Sequence, residues 1–337
     1  MGCAMAMWCR FGSMSNPHRG VYFLQGQPPA PSNHGFAMSR AHLLQESQAT
    51  FTPRVKERYL IIHADDLGMC HAKNRGTIRA LEAGVVSSTS MMVPCPWFPE
   101  AAEWVRKNPK IDAGLHLTLT SEWQFYRWRP VAHPDKVKGL VDKDGFLWRS
   151  VEEVVRHASP SEVESEIRAQ IERALHFGIR PTHLDSHMGT LYADPRFFEV
   201  FLKVAMEYKI TPMVFSPTPE ILLMAKTRGL DYLPIYKRLQ QARIPTIDYL
   251  NPQYAPDEAF EPHRQRLHQF IRNLKPGVTE LIVHLGEDDP EGHAITSSWR
   301  YRVDELRILL EPAFQSLLQQ EGIRLTTYRE LPEIQGV

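Results

Sequence analysis

Residues 58–68 read RYLIIHADDLG, an apolar run of strand length that ends on two adjacent carboxylates and a glycine. A charged pair is too costly to desolvate inside a strand unless something compensates it, so Asp65 and Asp66 belong at the strand's exit from the core. Outward from there the same rhythm repeats. AKNRGTIRALEAGV (72–85) spaces Ile78, Leu81 and Val85 helically and offers Gly84 as a stop, and VVSSTSMMV (85–93) reads as the next strand. FPEAAEWVRKNP (98–109) reads as a helix and IDAGLHLTLT (111–120) as a strand carrying His116.

SPSEVESEIRAQIERALHFG (159–178) places Ser161 and Glu164 at capping-box spacing and ends at Gly178. The strand IRPTHLDSH (179–187) follows, and then a helix with Asp194 as N-cap and Pro195 at its first position. TPMVFSP (211–217) is a short strand, residues 220–260 lack a regular pattern, and DEAFEPHRQRLHQFIRNLKPG (257–277) is helical. TELIVHLGE (279–287) is a strand ending near His284; RVDELRILLEPAFQSLLQQEG and IRLTTYREL close the chain as helix and strand. Serial β/α units of this kind imply an α/β fold, either a closed barrel or an open doubly wound sheet. Both collect the active site at the C-terminal ends of the strands.

The chain has 337 residues, 43% of them hydrophobic, with 39 basic and 39 acidic side chains. It therefore has no global field to attract nucleic acid or an anionic membrane. No run approaches the roughly 20 apolar residues of a membrane span. Cys3, Cys9, Cys70 and Cys95 form no C-x-x-C pair, so neither a disulfide framework nor a thiolate zinc site is indicated, and a reducing, cytoplasmic compartment is expected. Residues 1–57 read as an irregular extension, with a cleaved targeting peptide as the alternative, and residues 58–337 as one catalytic domain.

Four polar clusters fall at strand ends: Asp65-Asp66, His116, THLDSH (His183, Asp185, His187) and His284. Each has an ordinary explanation. Adjacent aspartates usually make a turn and a helix cap, and a histidine between leucines is usually a hydrogen-bonded core residue. Three ligand-type side chains within five residues are harder to dismiss, because they are costly to bury unless something binds them. Brought to one face, Asp66, His116 and His187 would supply one carboxylate and two imidazoles to a metal and leave open positions. His183-x-Asp185 with a distant histidine also fits a two-histidine, one-carboxylate iron site, but that site needs a β-rich scaffold.

In order and spacing, HADDLG, RGTIRALEAGVVSSTSMMV, AGLHLTLT, RPTHLDSH and VHLG resemble the YdjC-like carbohydrate deacetylases, which are similar in mechanism to NodB-type polysaccharide deacetylases. The resemblance spans roughly residues 58–330 and implies a (β/α) barrel, distorted or incomplete relative to a TIM barrel, with a divalent ion, Mg2+ or Zn2+. Carried over by position, it implies Asp66, His116 and His187 as metal ligands, Asp65 as base and His284 as acid. Asp185, two residues before His187, would orient a histidine or Asp65. The implied reaction removes an N-acetyl group from an amino sugar or short oligosaccharide. A glycosidase and a non-catalytic carbohydrate-binding barrel are the alternatives.

This chain departs from the family in three places: SHMGTLY follows Asp185 in place of further histidines, HLGEDDPEGH replaces the usual H-P-G, and His63 stands where asparagine is common. The loop SEWQFYRWRPV (121–131) carries Trp123, Tyr126 and Trp128, which suit either a sugar-stacking rim or a small hydrophobic cluster of their own. EDDPE (287–291) reads as a solvated loop. The partner expected is a sugar, with a homo-oligomer left open.

Overall fold

A computed structural model describes residues 51–251 and 254–337; residues 1–50 of the irregular extension lie outside that range. At its centre runs β1 (Arg58–Leu67), whose Leu60, Ile61 and Ile62 are wholly buried. A strand apolar on both faces belongs inside a parallel sheet covered by helices on one side and a core on the other.

The alternation expected from the sequence is present. Helix α1 (His71–Glu82) leads to β2 (Ser88–Met91), and α2 (Phe98–Lys107) to β3 (Ala113–Leu117). Helices α3 (Val151–His157) and α4 (Pro160–His176) precede β4 (His183–Ser186); α5 (Thr190–Ala193) and α6 (Pro195–Tyr208) precede β5 (Thr211–Pro212). Then come α7 (Pro219–Thr227), α8 (Tyr232–Gln241), β6 (Tyr249–Asn251), α9 (Phe260–Arg272) and β7 (Gly277–Val283). The chain closes with α10 (Pro290–Ile295), α11 (Trp299–Leu310), α12 (Pro312–Gln320), β8 (Arg324–Leu325) and α13 (Leu331–Gln335).

The strands lie in the order β5-β4-β3-β2-β1-β7-β6, with β8 beside the start of β1, and every pairing is parallel. The sheet curls into an incomplete barrel, whose edges approach through one isolated bridge between Phe215 and Ile247. This is the distorted (β/α) barrel the sequence implied.

Three details differ from the sequence reading. The capping box of α4 is Ser159 with Glu162, not Ser161 with Glu164, because Pro160 fits the first helical position and moves the cap two residues upstream. The stretch without a pattern holds α7, α8 and β6: α7 buries only Ala225, whereas Tyr232, Ile235 and Leu239 of α8 do fall at helical spacing. The last helical run is two helices broken at Glu311–Pro312, since proline cannot donate to the preceding turn. Asp194 caps α6, as expected, by accepting from the Arg196 amide.

Candidate functional site

The two aspartates occupy the C-terminal end of β1, where regular alternation would send their side chains to opposite faces. Two irregularities prevent that. The pairing of β1 with β2 shifts register between Ala64 and Leu67, and Asp66 takes the left-handed conformation at φ 70°. Both carboxylates thereby face groups at the strand ends. His116 and Asp185 sit in direct register on β3 and β4, and so point to the same side. His187 leaves β4 at once into a turn with Met188 at φ 51° and Gly189 at φ 62°; His284 directly follows β7.

The polar strand ends meet as the sequence suggested. One donor atom each from Asp66, His116 and His187 lies within 4.8 Å of the other two. Asp66 Oδ1 is 3.4 Å from His187 Nδ1 and 3.7 Å from His116 Nε2, is buried, and has no hydrogen-bond partner among the described residues. An anionic oxygen left bare beside two imidazole nitrogens fits a divalent cation, whose charge would offset the desolvation. The far side of each ligand is held. His116 Nδ1 lies 2.7 Å from Asp185 Oδ1, His187 Nε2 lies 3.1 Å from Glu122 Oε2, and Asp66 Oδ2 accepts from Lys73 Nζ at 2.6 Å and Arg302 Nη1 at 3.0 Å. Carboxylates behind metal-binding imidazoles fix the ring and raise its basicity.

Asp65 stands beside this trio, with Oδ2 3.6 Å from His116 Nε2 and 3.8 Å from His284 Nε2. Burial raises its carboxyl to about 6, against the pull of His116 and His63. Burial would also raise Asp66, but Lys73, His187 and Arg302 together hold it well below the usual carboxylate range. Burial works to lower the imidazole of His187, yet Glu122 and Asp66 lift it to about 10. A cation would displace such protons on binding. Burial, reinforced by Arg302 and Lys73 against the opposite pull of Asp66, keeps His284 well below the ordinary histidine value, and hence neutral.

A cavity of about 60 Å3 opens onto Asp65, His116, Asp185, His187 and His284, walled by Tyr254 and by apolar side chains such as Met213, Leu250 and Ile282. The loop 121–131 reaches the site through Glu122 on His187, but its aromatics are turned to other partners. Trp128 is buried with its indole donating to the Thr120 carbonyl, the Tyr126 hydroxyl donates to the Met69 carbonyl, and Trp123 packs on the main core. None of the three lines the cavity. His183, within THLDSH, stacks on Tyr328 at 3.9 Å between ring centres.

Several residues escaped the sequence reading. Lys73 looks like an ordinary helix lysine and Arg302 lies 236 positions from Asp66. Glu122 sits in a loop noticed only for its aromatics. His63, noticed only as a departure, lies 3.0 Å from Asp185 Oδ2 and 3.3 Å from Asp65 Oδ1 and so joins the two carboxylates. Burial opposes its protonation, but Asp185, Glu280 and Asp65 raise it to about 9. Its strand position four residues before Leu67, facing inward among buried neighbours, was the signal that could have found it.

The family model for YdjC-like protein matches residues 59–320. A carbohydrate deacetylase from Thermus thermophilus is 34% identical over 268 residues, covering 78% of this chain and 90% of its own length. One from Geobacillus stearothermophilus is 30% identical, covering 81% of this chain and 98% of its own. A crystal structure of an Enterococcus faecalis protein named for cellobiose-phosphate cleavage superposes with a TM-score of 0.68 at 29% identity, covering 82% of this chain and 99% of that one. With the family model and these relatives agreeing over most of its length, the chain belongs to the YdjC-like family.

Proposed function

We propose that the chain is a metal-dependent carbohydrate deacetylase that hydrolyses the N-acetyl group of an amino sugar or short oligosaccharide. One observation carries this reading: the Oδ1 of Asp66, bare among the described residues, converges with His116 and His187, and those two histidines line one cavity together with Asp65 and His284. The relatives named as carbohydrate deacetylases supply the substrate class. Asp66, His116 and His187 would hold the ion, and two imidazoles with one carboxylate oxygen favour Zn2+ over the harder Mg2+.

A bound divalent ion supplies Lewis acidity, polarising the acetamide carbonyl and lowering the pKa of a water. Asp65 takes the proton of the attacking water as the carbon–oxygen bond forms. The departing nitrogen needs one proton when the carbon–nitrogen bond breaks. His284 Nε2 lies 3.8 Å from Asp65 Oδ2, placed to relay that proton, and the burial that depresses its basicity makes its imidazolium a strong donor to the nitrogen. The apolar wall formed by Met213, Leu250 and Ile282 keeps bulk water from the acetyl methyl. A glycosidase would need two free carboxylates flanking the bond. Asp185, the other carboxylate lining the cavity, has one oxygen on His116 and the other on His63.

The test is to incubate metal-reconstituted protein with a panel of N-acetylated sugars and assay released acetate. Acetate is expected; reducing sugar released without acetate would replace this reading with the glycosidase.

A further inference from the structure

Asp66 Oδ2 carries two cations. Lys73 from α1 and Arg302 from α11 both reach it, each about 2% exposed, while Asp66 itself is 1% exposed. Its other oxygen, by contrast, has no hydrogen-bond partner among the described residues and faces His116 and His187. The division is sharp. Burying two cations against a single oxygen costs desolvation on three groups, and an ion pair this deep is weak support for a fold when an apolar trio could pack there instead. The arrangement is better explained by what it does to the carboxylate. A carboxylate beside a cation can ligate it through one oxygen or through both, and here the second oxygen is already occupied.

We propose that Lys73 and Arg302 are positioning residues that hold Asp66 as a one-oxygen metal ligand, leaving the coordination position that its second oxygen would take free for water and substrate. This rests on the metal-dependent reading above. The pattern completes what Asp185 does for His116 and Glu122 for His187, since every ligand has its far atom held and its near atom aimed inward. It differs in sign: the partners of the imidazoles are anions, whereas those of Asp66 are cations that repel the incoming ion. The pair therefore also compensates the buried carboxylate before any ion arrives, and weakens the grip once one has bound.

Lys73→Met removes one charge while keeping the length of the side chain, and Arg302→Met removes the other. Metal-free protein, its fold checked by circular dichroism, is titrated with Zn2+ by calorimetry and with Co2+ while the visible spectrum is recorded. Either variant is expected to bind Zn2+ about tenfold or more tightly than the parent, because a like charge beside the ion is gone. Its Co2+ bands should weaken as Asp66 adds a second oxygen and the coordination number rises. Turnover should fall at least tenfold, while Lys73→Arg, which keeps the charge, should restore the parent's Co2+ spectrum.

Unchanged or weaker Zn2+ affinity in folded variants, with an unchanged Co2+ spectrum, overturns the proposal and leaves the deacetylase reading standing. A parent protein that takes up neither ion overturns both. If neither methionine variant folds, a crystal structure of the Co2+-loaded parent decides: one oxygen of Asp66 on the ion supports the proposal, and two overturn it.

Discussion

His116 Nδ1 and Asp185 Oδ1 lie 2.7 Å apart on adjacent strands in direct register, with Asp185 Oδ2 3.0 Å from His63. A proton donated from Nδ1 to the Asp185 carboxylate would leave the Nε2 lone pair of the neutral ring for a cation. Asp185→Ala is expected to weaken metal affinity about 10- to 100-fold while the fold survives. Glu122→Gln should do the same through His187. Calorimetric titration measures both, and unaltered affinity in Asp185→Ala would strip that residue of its orienting role.

The ligand set itself is tested by Asp66→Asn, His116→Ala and His187→Ala. Asparagine tolerates the left-handed backbone that Asp66 adopts, so the first substitution isolates the lost charge. Each should bring metal content, read by mass spectrometry of the purified protein, to well under one equivalent. Full occupancy in all three would rule the set out.

A base at Asp65 would work only when ionised, and burial raises its carboxyl to about 6 in the metal-free protein. Activity should therefore rise with pH on the acid side, with a midpoint at or below about 6, since a bound cation lowers it further. The linkage has the same origin. A carboxyl raised above its unfolded value stabilises the fold below about pH 4 and loses that contribution as pH climbs through about 6, so the gain in melting temperature on adding metal should grow over that interval. Asp65→Asn should keep the metal and lose about 100- to 10,000-fold in turnover. An acid-limb midpoint above 7 in the loaded enzyme would assign the base elsewhere.

His284→Ala separates proton donation from water activation. An amide leaves as an unstable amine anion unless protonated, whereas the phenolate of an activated acetate ester leaves without help. Turnover of the amide should fall about 100-fold or more, and that of the ester by much less. Equal losses on the two substrates would argue against His284 as the proton carrier.

Gly76 lets α1 approach the loop after β7, for a Cβ there would stand 2.8 Å from the Gly286 Cα. That loop carries His284 at its start, and α1 carries Lys73. Gly76→Ala should cost about 1–3 kcal/mol of stability, seen as a lowered melting temperature, because backbone cannot move aside as a side-chain tip can. An unshifted melting temperature would mean that the loop relaxes freely, and the site's geometry would then not depend on this contact.

Much of the molecule is legible in the order of its residues. The alternation of strand and helix runs from Tyr59 onward decided a parallel β/α architecture, and that architecture brings strand ends together. Asp66, His116 and His187 could therefore be grouped from positions far apart in the chain, and the family motifs they belong to are local words in the sequence. The expectations that differ, the cap of α4 and the unbroken last helix, each turned on a proline: Pro160 beside the cap and Pro312 within the helical run.

Other features depend on tertiary contacts that no local pattern encodes. Alternation along β1 would part Asp65 from Asp66, and only the register shift and the positive φ of Asp66 turn them toward a common site. The side chains of Trp128 and Tyr126 could have faced a sugar; packing instead sends one indole to Thr120 and the phenol to Met69. Nothing in the local sequence of Lys73 or Arg302 marks either for burial; the fold brings α1 and α11 onto one carboxylate oxygen. The physical reason is common to all three: periodicity reports which side of its own element a residue takes, whereas the partner a buried charge finds is set by how distant elements dock.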